Sequence, residues 1–176
     1  MPIAAARSLE PQHAPDRSSL YAISLDELDN AAVRAGADYW RMLRAGRNLP
    51  SRAELSPRAL RAILRHVVLL KVIDAGADYE YRIAGDAHVE AYGMAFRNMR
   101  LSQIEATLPD YGGMMRGFYE HVRATAEPLA TRGWVGRRIA DARFVYFETV
   151  FLPLGDDGQT VDHIACVSVY VPRAPD

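Results

Sequence analysis

The stretch Arg143-Phe-Val-Tyr-Phe-Glu-Thr-Val-Phe-Leu-Pro-Leu154 decides the fold, because almost all of its side chains are apolar, aromatic or β-branched. A turn, Gly155-Asp-Asp-Gly158, separates it from a second run of the same kind, Val161-Asp-His-Ile-Ala-Cys-Val-Ser-Val-Tyr-Val171. Two such runs around a Gly/Asp turn predict an antiparallel hairpin. The first run is apolar at both odd and even positions, whereas a strand covered on one side alternates with polar residues. We therefore expect a sheet that carries other elements on both faces.

The composition is that of an ordinary globular protein. The 176 residues are 49% hydrophobic and 24% charged, and this length fits one domain with a modest extension. The net charge of −1 provides no field for nucleic acid or an anionic membrane. Basic residues are scattered, and Arg132, Arg137 and Arg138 are the nearest approach to a patch. The lone cysteine, Cys166, cannot form an intramolecular disulfide and is expected to be a small buried hydrophobe.

Targeting signals are not evident in the sequence. No apolar run approaches the length of a membrane helix, and the N-terminus lacks the apolar core of a signal peptide. We therefore predict a cytoplasmic protein with neither a membrane nor a nucleic-acid partner.

The chain divides into three parts. Residues 1–22 contain several prolines and no periodic apolar stripe, which predicts a mobile extension. Residues 23–64 are predicted to be helical: Ser24 and Glu27 form a capping box for a helix that runs to about Ala45, and Ser56-Pro57 begins a second, short helix. Gly36 lies in the middle of the first helix, where it predicts a close packing contact.

Residues 65–172 form the predicted core. Strands are expected over 66–73, 79–84 and 129–138 in addition to the hairpin, and a helix is expected from Asp110 to about Ala126. Residues 94–108 read as irregular. The order predicts an α+β fold: a five-stranded antiparallel sheet with helices on one face and the N-terminal helix packed on the other.

This order, with these residues, resembles a PAS domain, and most closely the single-domain PAS-type proteins of alphaproteobacteria. The match rests on Tyr39-Trp-Arg-x-Leu-Arg-x-Gly-Arg-x-Leu-Pro-Ser-Arg52, on Tyr81-Arg82-x-x-Gly85 with Tyr92-Gly93, and on Leu152-Pro-Leu-x-x-Asp-Gly158. It covers about residues 25–171. Where that family tends to place a second glycine after Tyr92-Gly93, this chain has Asn98, the next-best residue at positive φ.

The resemblance implies a sensory or signalling role. No length remains for an output module, so output would be delivered in trans, through a partner such as a signalling kinase or regulator. PAS-flanking helices often pair between subunits, which implies a homodimer through the N-terminal helix, with Trp40 and Leu43 at its interface. The alternative is that this helix face packs onto its own sheet.

The resemblance also implies a ligand cavity between the long helix and the inner face of the sheet. Its candidate lining residues are Phe118 and Val122 on the helix, Phe147, Thr149 and Phe151 on the first hairpin strand, and Ile164, Cys166 and Ser168 on the second. Thr149 and Ser168 offer hydroxyls, and the small side chains leave space. A filled core without a ligand would use the same residues equally well.

Other candidates are single residues. Some PAS proteins bind haem through an axial histidine on the long helix, which makes His121 a candidate; the alternative is a surface histidine. His66, His88 and His163 show no metal-ligand spacing. Glu148 is either a functional carboxylate of shifted pKa or the partner of an arginine on a neighbouring strand. Residues 93–102 contain no cysteine, which excludes a light sensor that forms a flavin–cysteine bond.

Enzymatic motifs are not found. The sequence has no nucleophile elbow, no Walker loop and no dinucleotide-binding glycine motif. We therefore expect a PAS-type sensor that is not an enzyme and whose cofactor, if any, the sequence does not identify. The alternatives are a ligand-free interaction or dimerisation adaptor, and a small-molecule enzyme in a cone-shaped α+β fold.

Overall fold

A six-stranded antiparallel sheet forms the centre of the molecule, and the α+β prediction is confirmed. The computed structural model describes residues 19–135 and 142–174. Its strands are β1 (Ser19–Ile23), β2 (Val67–Ile73), β3 (Asp78–Ala84), β4 (Leu129–Trp134), β5 (Phe144–Leu154) and β6 (His163–Pro172). Its α-helices are α1 (Ala31–Arg44), α2 (Asp86–Tyr92), α3 (Leu101–Thr107) and α4 (Pro109–Thr125).

The predicted hairpin, β5 and β6, lies in the middle of the sheet. The strand order is β1-β4-β5-β6-β2-β3, so neither strand of the hairpin is at an edge. All eleven residues of β5 are buried. A central strand that is covered on both faces needs apolar side chains at every position, which is the pattern that its sequence shows.

Two separate cores lie on the two faces of the sheet. On one face, α1 packs its buried side, Val33, Ala37 and Trp40, against Val150 and Val167. We call this the α1 core. On the other face, α2, α3 and α4 cover Phe151, Ile164 and Cys166, and we call this the α4 core. Neighbouring residues of β5 and β6 thus enter different cores, because successive side chains of a strand point to opposite faces.

The strand count of five is wrong, because β1 adds a sixth strand. It pairs antiparallel with β4 from Ser19↔Trp134 to Ile23↔Ala130, in a stretch that the sequence analysis assigned mainly to the mobile extension. Gly133 makes this pairing possible, since a Cβ there would lie 2.3 Å from the Ser19 carbonyl oxygen. Residues 1–18, and Arg137 and Arg138 of the predicted basic patch, lie outside the described residues.

The helices also differ from the prediction. The Glu27 carboxylate accepts from the Ser24 amide at 2.8 Å, yet this cap begins only a 3-10 turn, and α1 starts at Ala31 with Asn30 as its cap. Residues 57–63 form turns instead of a helix, and Ser56 caps only locally, by accepting from the Ala59 amide. The segment expected to be irregular contains α3.

Three special backbone positions were anticipated correctly. Gly93 ends α2 at φ +68°, and Asn98 adopts φ +64°, the left-handed conformation that asparagine tolerates best after glycine. Gly36 brings α1 close to the sheet, because a Cβ at that position would lie 2.5 Å from Cγ2 of Val167.

Candidate ligand-binding site

A small cavity lies inside the α4 core, between α4, α2 and the inner face of β5 and β6. Its volume, counted as space in which the centre of a water molecule fits, is about 20 Å³. Such a space holds about one water. It is lined by Val68, His88, Tyr92, Tyr111, Met114, Met115, Tyr119, Phe147, Thr149, Phe151, Cys166, Ser168 and Tyr170.

Hydroxyl groups form a row across three strands of the sheet, and two of them, those of Thr149 and Ser168, line the cavity. Thr131, Thr149 and Ser168 are direct neighbours on β4, β5 and β6, and cross-strand neighbours point to the same face. The Thr149 hydroxyl donates to the Ser168 hydroxyl at 2.9 Å. The Thr131 hydroxyl is buried and has no hydrogen-bond partner among the described residues.

A connected chain of tyrosines and one histidine joins helices α2 and α4 to strands β3 and β6. The Tyr81 hydroxyl is hydrogen-bonded to those of Tyr119, at 2.8 Å, and Tyr111, at 2.5 Å. The Tyr111 hydroxyl lies 3.2 Å from Nε2 of His88, and Nδ1 of His88 lies 2.7 Å from the Tyr170 hydroxyl. A neutral imidazole donates at one nitrogen and accepts at the other, so His88 connects the hydroxyl of Tyr111 to that of Tyr170.

His88 is held in place by aromatic packing. Its ring centroid lies 4.5 Å from that of Phe96 in an edge-on contact and 5.1 Å from that of Tyr92. The side chain is only 4% exposed. Helix α2 positions the His88 side chain. His88, Ala91 and Tyr92 share one face of that short helix, and this face is directed towards the sheet.

Five titratable groups of the cavity wall, those of His88, Tyr111, Tyr119, Cys166 and Tyr170, are uncharged at neutral pH. Burial lowers the pKa of His88 to about 3, and it raises the pKa values of Tyr111, Tyr119 and Cys166 well above their ordinary values. Burial also raises the pKa of Tyr170, and a hydrogen bond from Ser168 partly opposes this rise. No Asp, Glu, Lys or Arg of the described residues lines the cavity. The site is therefore polar but uncharged.

A second, apolar space adjoins the cavity, and we call it the vestibule. Its volume is about 80 Å³ by the same measure. Leu20, Trp134 and Phe144 line its outer part, and it shares Tyr92, Tyr111, Met114 and Phe147 with the cavity. These four residues line both spaces.

Most of the predicted pocket residues lie around this cavity. Phe147, Thr149, Phe151, Cys166 and Ser168 line it. Ile164, Phe118 and Val122 belong to the same core but lie away from the cavity wall; the Phe118 ring, for example, packs on Phe151 with centroids 5.3 Å apart. Inward parity was therefore assigned correctly on both strands, whereas the position along α4 was not.

His121 does not reach the site, contrary to the expectation that its helical position allowed. The buried stripe of α4 is Tyr111, Met115, Tyr119 and Val122, and His121 lies on the exposed side. A cavity of about 20 Å³ also has no room for a porphyrin. The structure gives the haem hypothesis no support.

Glu148 serves to attach α1 to the sheet. It is 1% exposed, and its carboxylate accepts from the amides of Asp29, at 3.1 Å, and Asn30, at 2.9 Å, at the start of α1. Arg132, directly opposite on β4, lies 3.7 Å away and also donates to the Asp29 carboxylate at 2.8 Å. Two roles were considered for Glu148, a functional carboxylate and the partner of an arginine on a neighbouring strand. The contact with Arg132 is the second of these.

Sequence reasoning missed the histidine that matters most for the site. His88 was set aside because it has no metal-ligand spacing, yet it is the only histidine of the described residues that lines the cavity. The available signal was its spacing of three from Ala91 and four from Tyr92, which places all three on one face of a short helix. Among the described residues, no cluster of His, Cys, Asp and Glu could hold a metal ion.

Trp40 was predicted at a dimer interface, but it packs on its own sheet. It is 2% exposed, and its indole Nε1 donates to the Pro153 carbonyl oxygen at 2.8 Å. Leu43 is half-buried. The alternative, in which this face of α1 covers the sheet of the same chain, describes the position of Trp40.

Comparison with known proteins identifies the family. A PAS domain family model matches residues 28–168, from the segment before α1 to the middle of β6. The chain therefore belongs to the PAS domain family, whose members are generally sensory or signalling domains without enzymatic activity. Searches of the curated proteins and of the solved structures find no significant match. In the part of the chain that the structure describes, none of the helices is long and apolar enough to span a membrane.

Proposed function

We propose that this protein is a PAS-type sensor that binds a small molecule in the α4 core and transmits its state through protein–protein contacts in trans. The observation that carries the proposal is the uncharged, hydrogen-bonded lining of the cavity. Polar groups inside a core cost stability unless every one is paired. The α1 core of the same sheet is apolar apart from the buried Glu148 carboxylate, which anchors α1. A cluster of paired polar groups around a cavity is typical of a site that selects a ligand.

Ligand binding requires the cavity to widen. At about 20 Å³ it holds about one water, and typical ligand pockets are an order of magnitude larger. Met114 is half-buried in the wall between cavity and vestibule, and methionine has three rotatable bonds that let it repack. Movement of Met114 would join the two spaces.

The route of signal transmission that we propose runs through β5 to the start of α1. Phe147 and Thr149 line the cavity, and Glu148 between them projects to the other face, where it binds the amides of Asp29 and Asn30. A shift of β5 on ligand binding would thus change the anchor of α1. A change there would be read by a protein partner such as a signalling kinase or regulator.

The homodimer remains a prediction, and its surface has to differ from the one first expected. Trp40 is buried against its own sheet. Exposed apolar side chains on the N-terminal elements are Met42 on α1, and Leu20 and Tyr21 on β1. Light scattering of the full chain and of a Met42→Asp, Tyr21→Asp variant would test whether these residues support a dimer.

The small volume of the cavity favours one alternative, a ligand-free PAS interaction or dimerisation adaptor. An enzyme has less support. His88 is the one histidine of the described residues that lines the cavity, and a pKa of about 3 makes it a weak base at neutral pH. Burial keeps the Cys166 thiol protonated, and no carboxylate lines the cavity among the described residues.

A binding screen with one matched pair of variants tests the proposal. Ser168→Val fills part of the cavity with a larger, β-branched side chain that suits a strand. Val169→Ile enlarges the side chain by a similar volume at the neighbouring position, which faces away from the cavity. We expect thermal shifts from members of a metabolite library with the unmodified protein and with Val169→Ile, and none with Ser168→Val. Native mass spectrometry and an absorption spectrum of the purified protein would detect a ligand retained from the cell. A library without any hit, together with no retained ligand, would favour the adaptor.

A further inference from the structure

The hydrogen-bonding groups of the cavity indicate the chemical class of its ligand. The tyrosine–histidine chain consists of neutral groups, and each of its members can donate and accept a hydrogen bond. Hydroxyl groups of this kind can turn a donor or an acceptor towards a neutral polar atom that enters the cavity.

A buried hydroxyl without a partner lies on the sheet, next to a residue that lines the cavity. Thr131 is 1% exposed, and its hydroxyl has no partner among the described residues. It lies beside Thr149 and on the same face of the sheet. Native proteins seldom leave a buried hydroxyl unpaired, and an unexplained case points to a water or ligand that completes it.

Charge restricts the ligand further. A buried ion requires an opposite charge or several donors of hydrogen bonds, and the cavity wall contains no charged side chain among the described residues. His88, Tyr111 and Cys166 all remain neutral in this environment. Neither a carboxylate nor an ammonium group would find a counter-ion here.

The vestibule determines the other end of the ligand. Leu20, Trp134, Val135, Ala142 and Phe144 make most of its lining apolar, Ser19 and the exposed Asp110 also line it, and it adjoins the cavity. We propose that the site takes an uncharged molecule with one hydrogen-bonding end, held by the hydroxyls of Thr149 and Ser168 and the tyrosine–histidine chain, and an apolar remainder that occupies the vestibule. This inference rests on the proposed sensory function and adds the ligand class to it.

Four ring probes of similar size test the ligand class. Benzyl alcohol is neutral with a hydrogen-bonding end, toluene is neutral and apolar, benzoate is an anion and benzylammonium is a cation. The readout is the set of methyl signals of the full chain labelled with [¹³C-methyl]methionine. Met114 and Met115 line the cavity, and Met42, 63% exposed on α1, is an internal control.

We expect benzyl alcohol to shift the Met114 and Met115 signals saturably and to leave Met42 unchanged. Toluene should bind the same place about tenfold more weakly, since one hydrogen bond of ordinary strength corresponds to roughly that factor. Benzoate and benzylammonium should give no saturable shift. Thr149→Val should remove the preference for benzyl alcohol over toluene, whereas Thr125→Val, which changes an exposed hydroxyl on α4, should preserve it.

The outcomes separate this inference from the proposed function. Saturable binding of benzoate or benzylammonium at Met114 and Met115, as tight as that of benzyl alcohol, would overturn the uncharged class and leave a ligand sensor in place. A lack of response to all four probes, combined with a metabolite screen without hits, would overturn both. If Thr149→Val fails to fold, Ser168→Ala removes the neighbouring hydroxyl of the same row without adding volume.

Discussion

The two cores on either side of the sheet use the same strands but different chemistry. The α1 core combines apolar residues such as Val33, Val150 and Leu152 with one buried carboxylate, Glu148, which anchors α1. The α4 core contains hydrogen-bonded tyrosines, a buried histidine and a small cavity. Because residues of β5 alternate between the two cores, each strand contributes to both. The contrast indicates that one face was selected for packing, and the other for a task that packing alone does not explain.

The comparison predicts the largest stability loss in the α1 core. Trp40→Ala should lower the free energy of unfolding by about 3–5 kcal/mol, since it removes a fully buried ring and its hydrogen bond to Pro153. Trp40→Phe, which keeps an aromatic ring, should lose markedly less. Urea denaturation measures both. A loss below about 1 kcal/mol for the alanine variant would show that α1 contributes little to the fold.

The buried histidine should make the α4 core sensitive to pH. The pKa of His88 in the folded state, about 3, lies below the ordinary value near 6.5, so the unfolded chain binds the proton first as pH falls. Stability should therefore be complete above about pH 6.5 and decline towards pH 3, by up to about 1.4 kcal/mol per pH unit.

The variant His88→Gln isolates this contribution. It keeps a donor and an acceptor but does not titrate, so its stability should depend less steeply on pH between 6.5 and 5. His121→Gln, which removes an exposed imidazole from α4, is the matched control and should keep the slope of the unmodified protein. Equal slopes for His88→Gln and the unmodified protein would contradict the buried, neutral state of His88.

Alanine substitutions at two glycines should have opposite effects, because one glycine is closely packed and the other lies on an open helix surface. Gly36→Ala should destabilise by about 1–3 kcal/mol, because its Cβ would lie 2.5 Å from Val167 and push α1 off the sheet. Gly113→Ala on α4 meets nothing within 4 Å and should stabilise by up to about 1 kcal/mol through helix propensity. Thermal denaturation gives both signs. A stabilising Gly36→Ala would mean that α1 moves easily on the sheet.

The smallest effect tests the polarity of the two faces directly. Thr149→Val in the α4 core should change stability by no more than about 1 kcal/mol, since valine has the shape of threonine and only one neutral hydrogen bond is lost. The reverse change at the next residue, Val150→Thr, introduces a hydroxyl into the apolar α1 core and should cost about 1–3 kcal/mol. Equal costs in urea denaturation would remove the distinction between the cores.

Much of this architecture could be predicted from local sequence. The two-sided apolar pattern of residues 144–154 predicted cover on both faces, and the resemblance to PAS strands predicted that Thr149 and Ser168 face inward. Gly93 and Asn98 were recognised because positive φ restricts residue type. These features depend on neighbours in sequence or on the fixed period of a strand.

Features that depend on distant partners were missed. β1 is short and is stabilised by β4, more than a hundred residues away, so its own five residues carry little signal. α3 exists because Leu101 and Ile104 pack into the α4 core, although its termini lack strong signals. The short helix predicted after Ser56-Pro57 had local signals and does not form.

By itself, the sequence determined the fold class through its hydrophobic periodicity, and it indicated the family and the inward side of the central hairpin through motifs that resemble those of PAS domains. Only the tertiary structure decided that His88 joins Tyr111 and Tyr170, that His121 lies outside and that Glu148 anchors α1. Burial and hydrogen-bond geometry depend on which elements meet in space, and that arrangement is set by the packing of the whole chain and not by any one segment.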